Sequence, residues 1–311
     1  MPIRLLLIKP HDSYLQISLI DRAGIYAHLE NIIKTTNPTR NDGVFLWRTD
    51  EKVIKWIIRS YSKYAILSHK WLRGTPGEIT YGHWNKGQLD PKSVGYEKLS
   101  NFCRTAWKDY GITLAWMDTI CIDKDSSSEL DESIRSMYAW YERASICIVY
   151  LSETQTITQI PHDTWFTRGW TLQELLAPKS LKFYSSEWCR LAQDKNNDKE
   201  NSVILNFIEK ATMMSASEVT TKHYVPLSRR MQWAASRTVT REEDTAYSLM
   251  GIFNVSISIA YGEGADRAFH RLLEEIIKTT PQGILDLFNW AGDYKNNKYG
   301  TSLLPSSPQY Y

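Results

Sequence analysis

Tyr64-Ala-Ile-Leu-Ser68 is a short apolar run that ends in polar residues. A run of this length, too short for a helix and apolar throughout, reads as a buried strand that stops at a loop. The loop, Lys70 to Lys92, is rich in Gly, Pro and Trp. Tyr96, Leu99, Cys103, Ala106, Trp107 and Tyr110 then recur at helical spacing, and Gly111 stands where a helix would stop. Ile112-Thr-Leu-Ala-Trp-Met-Asp118 reads as a second buried strand. Ser128 with Asp131 makes a capping-box pattern, and Leu130, Ile134, Met137, Tyr138 and Tyr141 line one face of the helix it would open. Ile146-Cys-Ile-Val-Tyr-Leu151 is the third strand. A short helix around Gly169 to Ala177, stopped by Pro178, leads to a fourth at Leu181-Lys-Phe-Tyr184.

Alternation of short apolar strands with helices predicts an α/β fold: an open, mostly parallel sheet with helices on both faces. Such sheets bind ligands beyond the carboxyl ends of their strands, where the strand order reverses. In a flavodoxin-like order 2-1-3-4 that point lies between the first and third strands. Ser68-His69-Lys70-Trp71 should then face the segment from Ser152 to Glu174.

Residues 1–60 contain no readable motif and are expected to pack on an α/β core over 61–190. After Trp188 the stretch Asp194-Lys-Asn-Asn-Asp-Lys-Glu200 reads as a surface loop, and residues 191–311 as a helical part with a tail. Thr240 with Glu243 is a second capping box, opening Asp244 to Gly251, and Ala268, Phe269, Leu272, Leu273, Ile276 and Ile277 form an apolar stripe.

Composition limits the function. The 311 residues carry 37 Lys plus Arg against 35 Asp plus Glu, a formal charge of +2, which excludes binding of nucleic acid by bulk charge. The hydrophobic share of 42% excludes a largely disordered chain. With 12 Trp and 18 Tyr the chain is rich in rings suited to cores, interfaces and clefts that stack planar ligands. Four cysteines at 103, 121, 147 and 189 include no C-x-x-C, so no zinc knuckle or dense disulfide framework is readable and a reducing setting fits. The apolar stretch before Lys9 is too short for a signal peptide, and no run approaches the ~20 apolar residues of a membrane span.

In Trp170-Thr-Leu-Gln-Glu174 an indole and a carboxylate stand four apart on one helical face at the expected cleft. A fixed negative charge there suits a sugar that loses a planar base and passes through an oxocarbenium-like state. The bland reading makes Glu174 a solvated helix residue. Asp118 and Asp123 flank Cys121 and could ligate magnesium, hold ribose hydroxyls or cap a turn. Cys121 reads as a small core residue, since no base stands at a readable spacing. His69 is a candidate base or phosphate ligand. Arg168 could clamp a phosphate or pair with a carboxylate. Arg237, Arg241, Glu242, Glu243 and Asp244 read as an ion-pair network tying the helical part to the sheet. Gly262-Glu-Gly264 is too little for a dinucleotide fingerprint, and no P-loop, H-E-x-x-H or G-x-S-x-G occurs.

Five ordered segments resemble the fungal heterokaryon-incompatibility (HET) domain family: Tyr64-Ala-Ile-Leu-Ser-His-Lys-Trp71, Ala115-Trp-Met-Asp-Thr-Ile-Cys-Ile-Asp-Lys124, Glu129-Leu-Asp-Glu-Ser-Ile134, Trp165-Phe-Thr-Arg-Gly-Trp-Thr-Leu-Gln-Glu-Leu-Leu-Ala-Pro178 and Arg237-Thr-Val-Thr-Arg-Glu-Glu-Asp-Thr-Ala-Tyr-Ser-Leu-Met-Gly251. The resemblance implies a cytoplasmic protein that triggers programmed cell death when incompatible individuals fuse, under control of a recognition partner. More distantly, the order of segments is similar to that of TIR domains, which share the flavodoxin-like sheet. In TIR enzymes that cleave NAD the catalytic glutamate lies in a W-C-x-x-E-L segment, and Trp170-Thr-Leu-Gln-Glu174-Leu175 aligns with it, Thr171 replacing the cysteine. That likeness implies hydrolysis of NAD to nicotinamide and ADP-ribose with Glu174 as catalytic carboxylate. Trp170 or Trp71 would stack a base, Ser68, His69 and Asp118 would contact ribose or phosphate, and Arg168 would balance phosphate charge. NAD is then a substrate, neither cofactor nor metal is called for, and the chain would self-associate on activation. The alternatives are a non-enzymatic oligomerising adaptor and a magnesium-dependent phosphohydrolase using Asp118 and Asp123. The loop from Arg73 to Val94 and the extension after Trp188 exceed what a TIR domain supplies.

Overall fold

The structure is a computed structural model that describes residues 1–12, 14–36, 58–72, 74, 77–194, 196–221, 225–280, 284–290 and 304–311. Arg73, Thr75 and Pro76 of the Gly- and Trp-rich loop, Lys195 of the polar stretch and residues 37–57 lie outside the described residues. The architecture is α/β with an open, mostly parallel sheet. Two compact units divide the chain, Met1–Leu67 with Trp71–Lys124, and Ser68–Lys70 with Asp125–Tyr311.

The first unit opens with strands β1 (Arg4–Pro10) and β2 (Leu15–Asp21), paired antiparallel, and helix α1 (Arg22–Thr36). Strand β3 (Tyr64–His69), whose last two residues fall in the second unit, is followed by α2 (Tyr81–Asn85), α3 (Val94–Tyr110), β4 (Leu114–Trp116) and α4 (Asp118–Cys121). Strand order in this unit is β2-β1-β4-β3. The pair β3–β4 is parallel, with Ala65 opposite Ala115, as expected for the first two strands of a βαβ unit. Helix α3 starts where Ser93 accepts from the Tyr96 N–H and ends at Gly111, whose φ of 64° is the left-handed conformation that a glycine adopts without strain. The hairpin β1–β2 is a feature that the sequence reading missed. Leu5 to Ile8 is a buried run of four between Arg4 and Lys9, no shorter than Leu181–Tyr184, and Leu15-Gln-Ile-Ser-Leu19 alternates apolar and polar residues, so both strands carried a local signal that was passed over.

The second unit contains α5 (Ser127–Arg143), β5 (Ile146–Tyr150), α6 (Thr171–Leu176), β6 (Leu181–Tyr184), α7 (Ser202–Thr212), α8 (Ala216–Thr220), α9 (Leu227–Ala235), α10 (Asp244–Tyr247), α11 (Met250–Phe253) and α12 (Ala265–Thr279). Strands β5 and β6 are parallel, Val149 opposite Phe183. Each half of the 2-1-3-4 order is thus present, second beside first in one unit and third beside fourth in the other. The stripe on α12 is buried as expected, except Ile277, which is half-buried.

Three expectations are corrected. Helix α5 is capped by Ser126, which accepts from the Glu129 N–H, because this earlier Ser-x-x-acid pattern outcompetes Ser128 with Asp131. Asp131 is drawn away to the Ile259 N–H at 3.1 Å. The second capping box does not form either: Glu243 accepts from the backbone N–H groups of Gly262 and Gly264 instead. The polar stretch 194–200 is not all surface. Asp198 is fully buried, accepting from Lys182 Nζ and the Phe183 N–H at 2.7 Å each, because a lysine in the middle of a buried strand needs a carboxylate brought to it. No helix among the described residues is long and apolar enough to cross a membrane.

Candidate active site

Glu174 sits on α6, a helix of six residues, all buried. So short a helix cannot persist on its own propensity and is held from outside. Its first residue is tied by the Thr171 hydroxyl, which donates to the Trp165 carbonyl at 2.5 Å and the Arg168 carbonyl at 2.9 Å. Pro178 follows its end.

The Glu174 carboxylate is 8% exposed and accepts a hydrogen bond from the Ser68 hydroxyl at the end of β3. Ser68 Oγ in turn accepts from the Trp165 indole N–H at 2.8 Å. An indole nitrogen only donates, so the serine proton is directed to the carboxylate. This arrangement stabilises Glu174 as an anion and makes Ser68 a donor, not a nucleophile. Trp165 is placed by Asp163, which accepts from the Trp165 N–H at 2.9 Å, the Thr154 hydroxyl at 2.9 Å and the Glu153 N–H at 3.1 Å. Burial raises the Asp163 carboxyl above its ordinary range, against those donors. Beside this, Lys70 Nζ bridges Glu153 at 2.5 Å and the Thr164 hydroxyl at 2.8 Å.

Two buried cations act on α6. Arg237 Nη1 donates to the Arg168 carbonyl at 2.8 Å and to Thr171 Oγ1 at 2.9 Å, and its Nε to the Trp233 carbonyl at 3.2 Å. Burial lowers its guanidinium to about 9, and the charge of Glu174 opposes that fall. At the other end, Lys199 Nζ donates to the carbonyls of Leu176 at 3.1 Å and Pro178 at 2.6 Å, where a positive charge complements the helix terminus.

Of the residues singled out from sequence, the structure joins Ser68 and Glu174 directly. His69 is buried beside Ser68 in the chain. Trp170, half-buried, hydrogen-bonds through its side chain to Asp244, which also accepts from the Tyr261 hydroxyl at 2.9 Å. Arg168, also half-buried, contributes its carbonyl to Arg237. Trp71 and Asp118 belong to the first unit, where Lys124 Nζ lies 3.4 Å from the centroid of the exposed Trp71 ring and pairs with Asp118 at 3.4 Å. Burial pushes the Cys121 thiol up to about 12, in keeping with a core residue.

The expected ion-pair cluster at 237–244 is resolved differently. Arg237 binds carbonyls and a hydroxyl, Glu243 binds backbone N–H groups, and Arg241 stacks 4.0 Å over Tyr261. Sequence reading did not assign Trp165, Thr171 or Lys199 to the site. Trp165 and Thr171 lie in the segment that carries Glu174, whereas Lys199 gives no local signal of its destination.

Residues 64–159 match the family described as Heterokaryon incompatibility protein (HET). The chain is 39% identical over 226 residues to the vegetative incompatibility protein HET-E-1 of Podospora anserina, a match that covers 69% of this chain and 16% of that protein. No solved structure matches. The matched region contains β3 with Ser68, and together these matches place the chain in the heterokaryon incompatibility (HET) family.

Proposed function

We propose that this chain acts in heterokaryon incompatibility as a cell-death effector that hydrolyses NAD, with Glu174 as the working carboxylate. The observation that carries the reading is the buried Glu174 carboxyl group hydrogen-bonded to Ser68 at the carboxyl end of β3, with the Arg237 guanidinium acting on the same helix. A carboxylate kept ionised in a partly dry setting stabilises a developing ribosyl cation more than it would in water. In the proposed step the bond between ribose C1′ and the nicotinamide nitrogen breaks. Its electron pair returns to the pyridinium ring, and water adds at C1′ and releases a proton. NAD and water thereby give nicotinamide, ADP-ribose and one proton. On this reading Trp170, hydrogen-bonded to Asp244 just before the helix that carries Glu174, stacks a base. The reading extends to a cytoplasmic setting, self-association on activation and a recognition partner elsewhere in the incompatibility system.

The test is nicotinamide release from NAD by the concentrated chain, compared with Glu174→Gln. Glutamine keeps an acceptor for Ser68 and removes the charge, so folding should survive while release falls by at least about 100-fold. Equal release by both proteins sinks the assignment. A second reading is favoured by the same burial: a carboxylate this enclosed can serve as a structural acceptor in a non-enzymatic oligomerising adaptor. Cell killing by Glu174→Gln at normal abundance would decide for it.

A further inference from the structure

Arg237 stands 63 residues after Glu174 in the chain, yet its guanidinium reaches the first turn of α6. One fork nitrogen grips the Arg168 carbonyl and the Thr171 hydroxyl together. Thr171 lies three residues before Glu174, one helical turn away on the same side. Thr171 also bonds the carbonyl of Trp165, whose indole holds Ser68, and Ser68 holds Glu174. These contacts close a ring, and Arg237 is fastened to its hinge. Its Nη2 is buried with no hydrogen-bond partner among the described residues, a costly state for a group that served packing alone. We propose that Arg237 is a positioning residue for Glu174: it fixes the turn that carries the acid against Ser68 and supplies the positive potential that keeps the acid charged. This inference rests on the reading of Glu174 as the working carboxylate.

The groups around Glu174 on the packed elements include Ser68 from β3, Cys147 from β5, Arg237, and Lys199 beyond the end of α6. The Cys147 thiol is kept neutral by burial. Arg237 places a cation at the start of the helix, and Lys199 places one at its finish.

The experiment uses the full chain with side-chain 13C-labelled glutamate, Glu174→Gln serving to assign the Glu174 signal. In Arg237→Met the Glu174 carboxyl should titrate at higher pH, since loss of a nearby cation favours the neutral acid. Amide exchange over residues 171–177 should rise by about tenfold or more, the turn having lost its charged donor. Arg237→Lys keeps the charge and loses the fork, so exchange should rise while the titration stays near that of the parent. Should Arg237→Met not fold, Arg237→Lys decides alone: increased exchange over 171–177 supports the proposal, and parental exchange overturns it. An unmoved Glu174 titration in folded Arg237→Met also overturns it. Both readouts are independent of turnover. Parental protein that releases no nicotinamide therefore counts against NAD cleavage, while the role of Arg237 still stands or falls on the titration and the exchange.

Discussion

Ser68→Ala removes one oxygen and breaks two contacts, and the cost can be worked from each. The first loss is the hydrogen bond to the Glu174 carboxylate, a bond to a charged group worth about 1.5 to 3 kcal/mol. The second is the acceptor for Trp165 Nε1, which is fully buried and would be left as an orphan donor at about 1 to 3 kcal/mol. The two penalties share one atom and do not simply add, so about 3 kcal/mol is expected for the substitution. Placing the same change in a Trp165→Phe background separates them. Phenylalanine has no N–H to orphan, so Ser68→Ala should cost about 1 to 2 kcal/mol less there than in the parent. Native-state amide exchange of the β5 core, Cys147 to Val149, reports the second unit by itself and gives all four corners of the cycle. A cost below about 0.5 kcal/mol, or one that is identical in both backgrounds, would refute the claim that the indole sets the direction of the serine proton.

Two further expectations concern buried and half-buried charges. Lys182→Met strands Asp198 in the core and should cost about 3 to 5 kcal/mol, much of it recovered when Asp198→Asn is added; urea unfolding of the single and double variants checks this. Glu218 is held down to about 2 by its hydrogen bond to Arg229, from an ordinary value of 4.5. A depressed acid contributes stability above its unfolded value, so that contribution is lost as pH falls from about 4.5 through about 2. Glu218→Gln should remove this loss, visible as a flatter acid limb in the exchange of α8 and α9.

Much of the sheet was legible because its signals are local. Tyr64–His69, Ile146–Tyr150 and Leu181–Tyr184 are continuous apolar or nearly apolar runs, and Gly111 marks the end of α3 through a backbone requirement that belongs to the residue itself. The meeting of Ser68 with Glu174 was legible by the same route: a strand end and a facing helix follow from topology, and the structure joins the two side chains. Apart from the β1–β2 hairpin, what escaped depends on a distant partner. Asp198 looks like loop solvent-lining until Lys182 is known to be buried, and Glu243 looks like a capping acid until Gly262 and Gly264 come to it. Arg237 reads as one member of a charge network, whereas its partners are carbonyls, which sequence cannot advertise because every residue has one.

The two cations that grip α6 are encoded after it, Lys199 by 23 residues beyond Leu176 and Arg237 by 66 beyond Thr171. On a ribosome the acid therefore emerges well before the groups that shape its surroundings. A nascent chain that has reached only residue 190 lacks both clamps on the segment that carries Glu174, and the chemistry proposed for it waits on synthesis of the downstream segment. Order of manufacture alone would thus act as a safety catch, and on the proposed reading a fragment that retains the activity extends past residue 237.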